Sequence, residues 1–147
     1  MIYIQYENCK NKYYAAQKEY ERIVDERETL FMKTQPKATD TTKDRVSGGA
    51  NNNAFDNYLI QKEKKQLDVR LEEARSILND RKELFRLKEE ELRKSTNIHD
   101  RIYTHKFLDN MKVYKIARLV GYGEAQIYRI LKIIRKNIKG RDDVERN

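Results

Sequence analysis

Apolar residues fall into three runs with different periods, and polar stretches separate them. Tyr6, Cys9, Tyr13, Ala16, Tyr20, Ile23, Arg27 and Leu30 alternate in steps of three and four. That spacing predicts a helix from about Gln5 to Lys33 with a narrow stripe suited to a helical partner. The pattern stops over residues 34–54, TQPKATDTTKDRVSGGANNNA, which hold the only proline, a Gly48-Gly49 pair and three asparagines. A mobile loop is expected there. A second helix is predicted from Phe55 to Lys94, on Leu67, Leu71, Ala74, Leu78, Arg81, Phe85, Lys88 and Leu92. Ile77, Leu84 and Leu87 widen its stripe, as if it met more than one neighbour. At ~1.5 Å per residue it would extend about 60 Å, and the first helix about two-thirds of that. The simplest arrangement is an antiparallel hairpin closed by the 34–54 loop. Pairing between subunits, giving a homodimer through the long helices, is equally compatible with the pattern. Arg27, Arg81 and Lys88 at seam positions would weaken either arrangement.

Ser95-Thr96-Asn97 favours a helix break and cap. A supporting helix should come next, from Ile98 to Asn110, with Ile102, Phe107, Leu108 and Met111 on its apolar face. The third run, Asp109 to Ile138, reads as two short helices around Val120-Gly121-Tyr122-Gly123. Val113, Ile116, Ala117, Val120, Tyr122, Ile127, Ile130, Leu131, Ile134 and Ile138 give it a core face. Ala117 is small where two helices would cross, and Gly121 sits where the chain must turn, in a left-handed conformation. Tyr122 is expected to plug the core. Gly123 is expected at the N-cap of the second helix. Helix-turn-helix DNA readers show this layout. The fold class expected is therefore all-α: a long N-terminal helical hairpin over 1–96, a helix-turn-helix domain over 97–139, and a charged, frayed tail over 140–147.

Charge sharpens the picture. The net charge of +8 is spread as zero over residues 1–33, +2 over 34–96 and +6 over 97–147. A basic excess confined to one module suits a polyanion, so double-stranded DNA is the expected partner. Glu124, Ala125, Gln126, Tyr128 and Arg129 lie in the first turns of the second helix, the part that reaches base edges. Arg129 suits a guanine and Glu124 a cytosine amine, while Gln126 suits a base or the backbone. Lys112, Lys115, Arg118, Lys132, Arg135, Lys136 and Lys139 are placed for phosphates, which orient without specifying. The competing reading is a helical hairpin whose charges are merely solvated.

Other chemistry finds little footing. Cys9 is the only cysteine, so no intrachain disulfide forms. No apolar run approaches membrane-spanning length, and MIYIQYENCK lacks the features of a signal peptide. A cytoplasmic, nucleoid-associated protein is the expectation. His99 and His105 are six apart with no nearby cysteine, which does not suit a helical metal pair. No nucleophile arrangement is visible, so no enzyme, metal or cofactor is expected.

Residues 101–138, RIYTHKFLDNMKVYKIARLVGYGEAQIYRILKIIRKNI, resemble region four of bacterial sigma factors, which recognises the promoter −35 element. In layout the whole chain resembles the small phage-encoded, sigma-like late-gene regulators of the ArpU/RinA type. The resemblance implies regulation of phage or prophage genes through promoter DNA, with contact to host RNA polymerase. It includes no −10-reading, strand-opening region. Two other functions fit a basic helical chain of this kind. One is a small terminase-like DNA-packaging protein, although its DNA-binding part is usually N-terminal. The other is a coiled-coil adaptor with a basic end.

Overall fold

The computed structural model describes the backbone of residues 1–34 and 53–145, and the side chains of residues 1–33 and 56–140. The chain is all-helical, with no strand among the described residues. Its elements are α1 (Ile2–Thr34), α2 (Asn53–Lys94), α3 (Ile98–Tyr103), a π turn (Thr104–Leu108), α4 (Val113–Val120) and α5 (Glu124–Glu145). The expected 34–54 loop falls mostly outside the described residues; its two ends, Thr34 and Asn53–Ala54, are helical.

Packing forms two compact units, Ala15–Asn79 and Met1–Tyr14 with Asp80–Asn147. The expected boundary at residue 96 lies just past the end of α2 at Lys94 and falls inside the second of these units, which also takes in Met1–Tyr14 and the end of α2 from Asp80.

In the Ala15–Asn79 unit, α1 and α2 bury Ile23, Leu71 and Ala74 between them, with Tyr20 and Val24 at the edge. Tyr20 pairs with Arg75, Glu26 with Arg70 at 3.1 Å, and Arg27 with Asp68 at 3.1 Å. Partner numbers fall along α2 as they rise along α1, so the helices run antiparallel within one chain. Arg27, an awkward seam residue in the sequence, swings out to its carboxylate instead of entering the core. These ion pairs are solvent-exposed and add little stability individually. Burial of the small apolar cluster outweighs them.

The other unit has a larger core. Tyr3, Tyr6, Leu92, Ile102, Tyr103, Val113, Ile116, Ala117, Ile127, Leu131 and Ile134 are buried together. The tyrosines stack as a group. Tyr3 and Tyr103 are stacked at 5.3 Å between ring centroids, and Tyr6 meets Phe85 at 5.1 Å and the Tyr103 edge at 5.9 Å. Buried phenols need polar partners. Tyr3 Oη accepts from Asn137 Nδ2 at 2.8 Å, and Tyr103 Oη donates to Glu7. Burial, ahead of nearby carboxylates, pushes the Tyr6 hydroxyl up from about 10 to about 12. Burial and the bond to Glu7 push Tyr103 further in the same direction.

Asp100 fixes how α1 enters this core. It is 1% exposed. Its carboxylate accepts from Tyr3 N–H at 2.9 Å, Ile2 N–H at 3.3 Å and Ser95 Oγ at 2.8 Å. The first N–H groups of a helix have no intrahelical acceptor. A residue nearly a hundred positions away supplies one here. It also places an acidic group at the positive end of the helix dipole.

The break at residues 95–97 occurs as expected, and Asn97 caps α3 by accepting from His99 N–H at 2.9 Å. The supporting helix departs from the expected Ile98–Asn110. After Tyr103 the coil widens, with Asp109 N–H reaching Thr104 O at 3.0 Å, and Asn110 leaves it at a φ of 52°. Such a turn carries one residue more than an α turn and so rotates the residues beyond it about the helix axis. Phe107 accordingly sits at the rim, its ring 5.0 Å from Tyr103, rather than within the apolar face. Leu108 and Met111 pack against the core as half-buried residues. At the other end α5 does not stop near residue 139 but runs on to Glu145.

Candidate nucleic-acid interface

α4 and α5 form a helix-turn-helix pair supported by α3. Val113, Ile116 and Ala117 of α4 and Ile127, Leu131 and Ile134 of α5 point inward, with Val120, Ile130 and Ile138 half-buried beside them. Gly121 ends α4 in the left-handed region, at φ 78° and ψ 23°. Its N–H and that of Tyr122 both reach Ala117 O, at 2.9 and 3.2 Å. This satisfies a carbonyl that the helix end would otherwise orphan.

Gly123 begins α5. Its carbonyl accepts from Ile127 N–H at 3.1 Å. Its own N–H donates to Gln126 Oε1 at 3.3 Å, one half of a capping box. The other half would require a hydroxyl that glycine does not have. Glu124 in the first turn complements the helix dipole.

Tyr122 does not plug the core. It is 41% exposed and lies outside the buried cluster. Ile116, Val120 and Ile127 already close the core beside the turn, and the reversal at Gly121 leaves the ring outside. Gly121 and Gly123 are themselves exposed.

The twelve residues picked from the sequence lie at the surface. Glu124, Ala125, Gln126, Tyr128 and Arg129 are exposed, as are Lys112, Lys115, Arg118, Lys132, Arg135, Lys136 and Lys139. Helical spacing puts Ala125, Arg129, Lys132 and Lys136 along the side of α5 opposite Ile127, Leu131 and Ile134. Tyr128, Arg135 and Lys139 flank that stripe. Gln126 has its side-chain oxygen on Gly123 and is drawn toward the helix start.

Between Lys112 and Gly140 there are eight cationic side chains and one acidic one, Glu124. Among the described residues, none of the eight has a carboxylate within 4 Å. Arg118 lies 6.0 Å from the Tyr114 ring centroid, a cation–π arrangement. On the long helices some cations are held by carboxylates, although, among the described residues, Lys12, Lys18, Lys62, Lys64, Lys65, Arg81 and Lys82 among others are not. Arg22 bridges Glu19 and Glu26, Arg86 bridges Glu83 and Glu90, and Lys88 binds Glu91. Among the described residues, six arginines of α1 and α2 are held in carboxylate pairs and Arg81 is not, while Arg118, Arg129 and Arg135 of α4 and α5 have none. Unpaired positive charge on an exposed helical face is available to a polyanion.

Sequence reasoning missed the supports behind this face. Tyr3 and Tyr6 come from the far end of the chain, and no local pattern ties them to α3. Asp100 reads as an ordinary acidic residue in a first helical turn. Arg93 fastens the end of α2 to Asp109 at 3.2 Å, which only the tertiary arrangement reveals. Among the described residues, no helix is long and apolar enough to cross a membrane. No family model, curated protein or solved structure matches the chain.

Proposed function

We propose that the chain is a sequence-specific, double-stranded DNA-binding transcription regulator of phage or prophage late genes. It reads promoter DNA through α4, the Gly121 turn and α5, and acts in contact with host RNA polymerase. The observation that carries the DNA reading is the eight cations of the helix-turn-helix pair, exposed and, among the described residues, without carboxylate partners. The resemblance of residues 101–138 to sigma region four supports the promoter and polymerase part.

In this reading α5 enters the major groove by its first two turns. Arg129 and Glu124 meet base edges, and the later cations meet phosphates. The test is duplex binding by the full chain over a range of salt. Affinity should fall steeply as salt rises, because each neutralised phosphate releases condensed counterions. Lys136→Ala should weaken binding to all sequences alike and reduce the log–log slope by about 1. Arg129→Ala should instead cost about 1–3 kcal/mol on the preferred site and relax one base position. Salt-independent binding, or none, would sink the proposal. Genome-wide crosslinking in infected cells tests the regulatory part, with occupancy expected upstream of late transcription starts. Occupancy confined to a packaging site would reject it.

A further inference from the structure

The first two turns of α5 present more than positive charge. Ala125 lies three residues before Tyr128 and four before Arg129, so the three share one patch of helix surface. Tyr128 is 57% exposed, the most exposed large apolar side chain of α4 and α5 among the described residues. Arg129, within the same set, has no carboxylate within 4 Å. The alanine methyl and phenol ring thus put exposed apolar surface on the same patch as an unpaired guanidinium. Glu124, on the preceding corner, keeps this end of the helix less attractive to phosphate than the end bearing Lys132, Lys136 and Lys139.

A phosphate has no use for exposed apolar surface. On the major-groove edge of a base pair the apolar feature is the C5 methyl of a pyrimidine, and the group matched to a forked guanidinium is guanine O6/N7. One helical turn advances about 5.4 Å, and stacked bases are about 3.4 Å apart. Ala125 and Arg129 therefore span neighbouring or next-neighbouring base pairs.

We propose that the Ala125–Tyr128–Arg129 patch reads a C5-methylated pyrimidine close to a guanine, the methyl being that of thymine or of 5-methylcytosine. This rests on the DNA-binding reading above and adds the chemistry of the step it prefers.

The experiment uses the full chain. Its preferred duplex is first selected from a randomised pool, and each thymine is then replaced singly by uracil, which removes only the methyl group. Each cytosine is replaced in parallel by 5-methylcytosine. At one position, loss of the methyl should weaken binding roughly fourfold, the equivalent of one buried methyl group. If that position is naturally cytosine, methylation should strengthen binding by a similar factor; the two arms thus identify the source. In Ala125→Ser the methyl effect should shrink below about twofold, and in Arg129→Ala the preference for the nearby guanine should be lost. Sequence-selective binding that ignores the methyl at every position would overturn this inference and leave the DNA reading standing. So would a methyl effect of the same size in Ala125→Ser. Failure to bind any duplex would overturn the DNA reading itself, and this inference with it.

Discussion

Two glycines two residues apart in the turn between α4 and α5 do opposite jobs. Gly121 holds a φ of 78° with nothing within 4 Å of where a Cβ would stand. The conformation, rather than space, excludes other residues. Gly121→Ala should therefore destabilise the fold by about 1–2 kcal/mol, the left-handed penalty of an L-residue. Gly123 has open space and no positive φ, so its lack of a side chain serves no visible constraint. Gly123→Ser should complete the box that Gln126 already half forms and stabilise by a few tenths of a kcal/mol. Denaturant unfolding of the two variants checks both signs, and a stabilised Gly121→Ala would contradict the turn geometry. Both glycines stand out in the sequence, and the cap position of Gly123 could be read there. Its open space could not, because that depends on what else packs nearby.

At the scale of elements, Asp100 decides how α1 joins the core. Asp100→Ala removes the acceptor of the buried Tyr3 N–H and should cost about 1–3 kcal/mol. Hydrogen exchange should then speed up first at the start of α1 and at α3; unchanged protection there would show that the first turn is held by packing alone. The existence of α1, α2, α4 and α5 was legible from apolar period, since amphipathic helices bury the residues that define the period. Element ends were less legible. The π turn at Thr104–Leu108 needs an extra residue accommodated by the core, and Thr104 Oγ1 bonding Asp100 O at 2.8 Å marks where the coil changes. No residue type in THKFL announces that widening. Tyr122 misled for a similar reason: it stands at a plausible core step, but the chain reverses before reaching it.

For the whole molecule, the consequence is that the unit containing α4 and α5 is not a local segment of sequence. Tyr3, Tyr6 and Leu92 belong to the same buried cluster as Ile116, Ile127, Leu131 and Ile134. A fragment covering only residues 97–139 would expose the inner faces those residues cover. It should unfold at lower denaturant than the full chain, bind an apolar dye, and lose duplex affinity through instability rather than through lost contacts. A fragment with full-chain stability would show that the tyrosine cluster is dispensable.

Sequence alone determined the helical character, the stretch that forms the helix-turn-helix and the residues on its outer face. Each of these depends on spacing along one helix, and spacing is local. Tertiary structure decided that the long helices pair within a chain and that residues 1–14 close the core behind α4 and α5. It also decided that, among the described residues, the cations of the helix-turn-helix pair have no carboxylate partner. Those outcomes depend on groups distant in sequence meeting, or failing to meet, in space. Sequence supplied the eight cations of the helix-turn-helix pair, but only packing shows that none of the described carboxylates comes near.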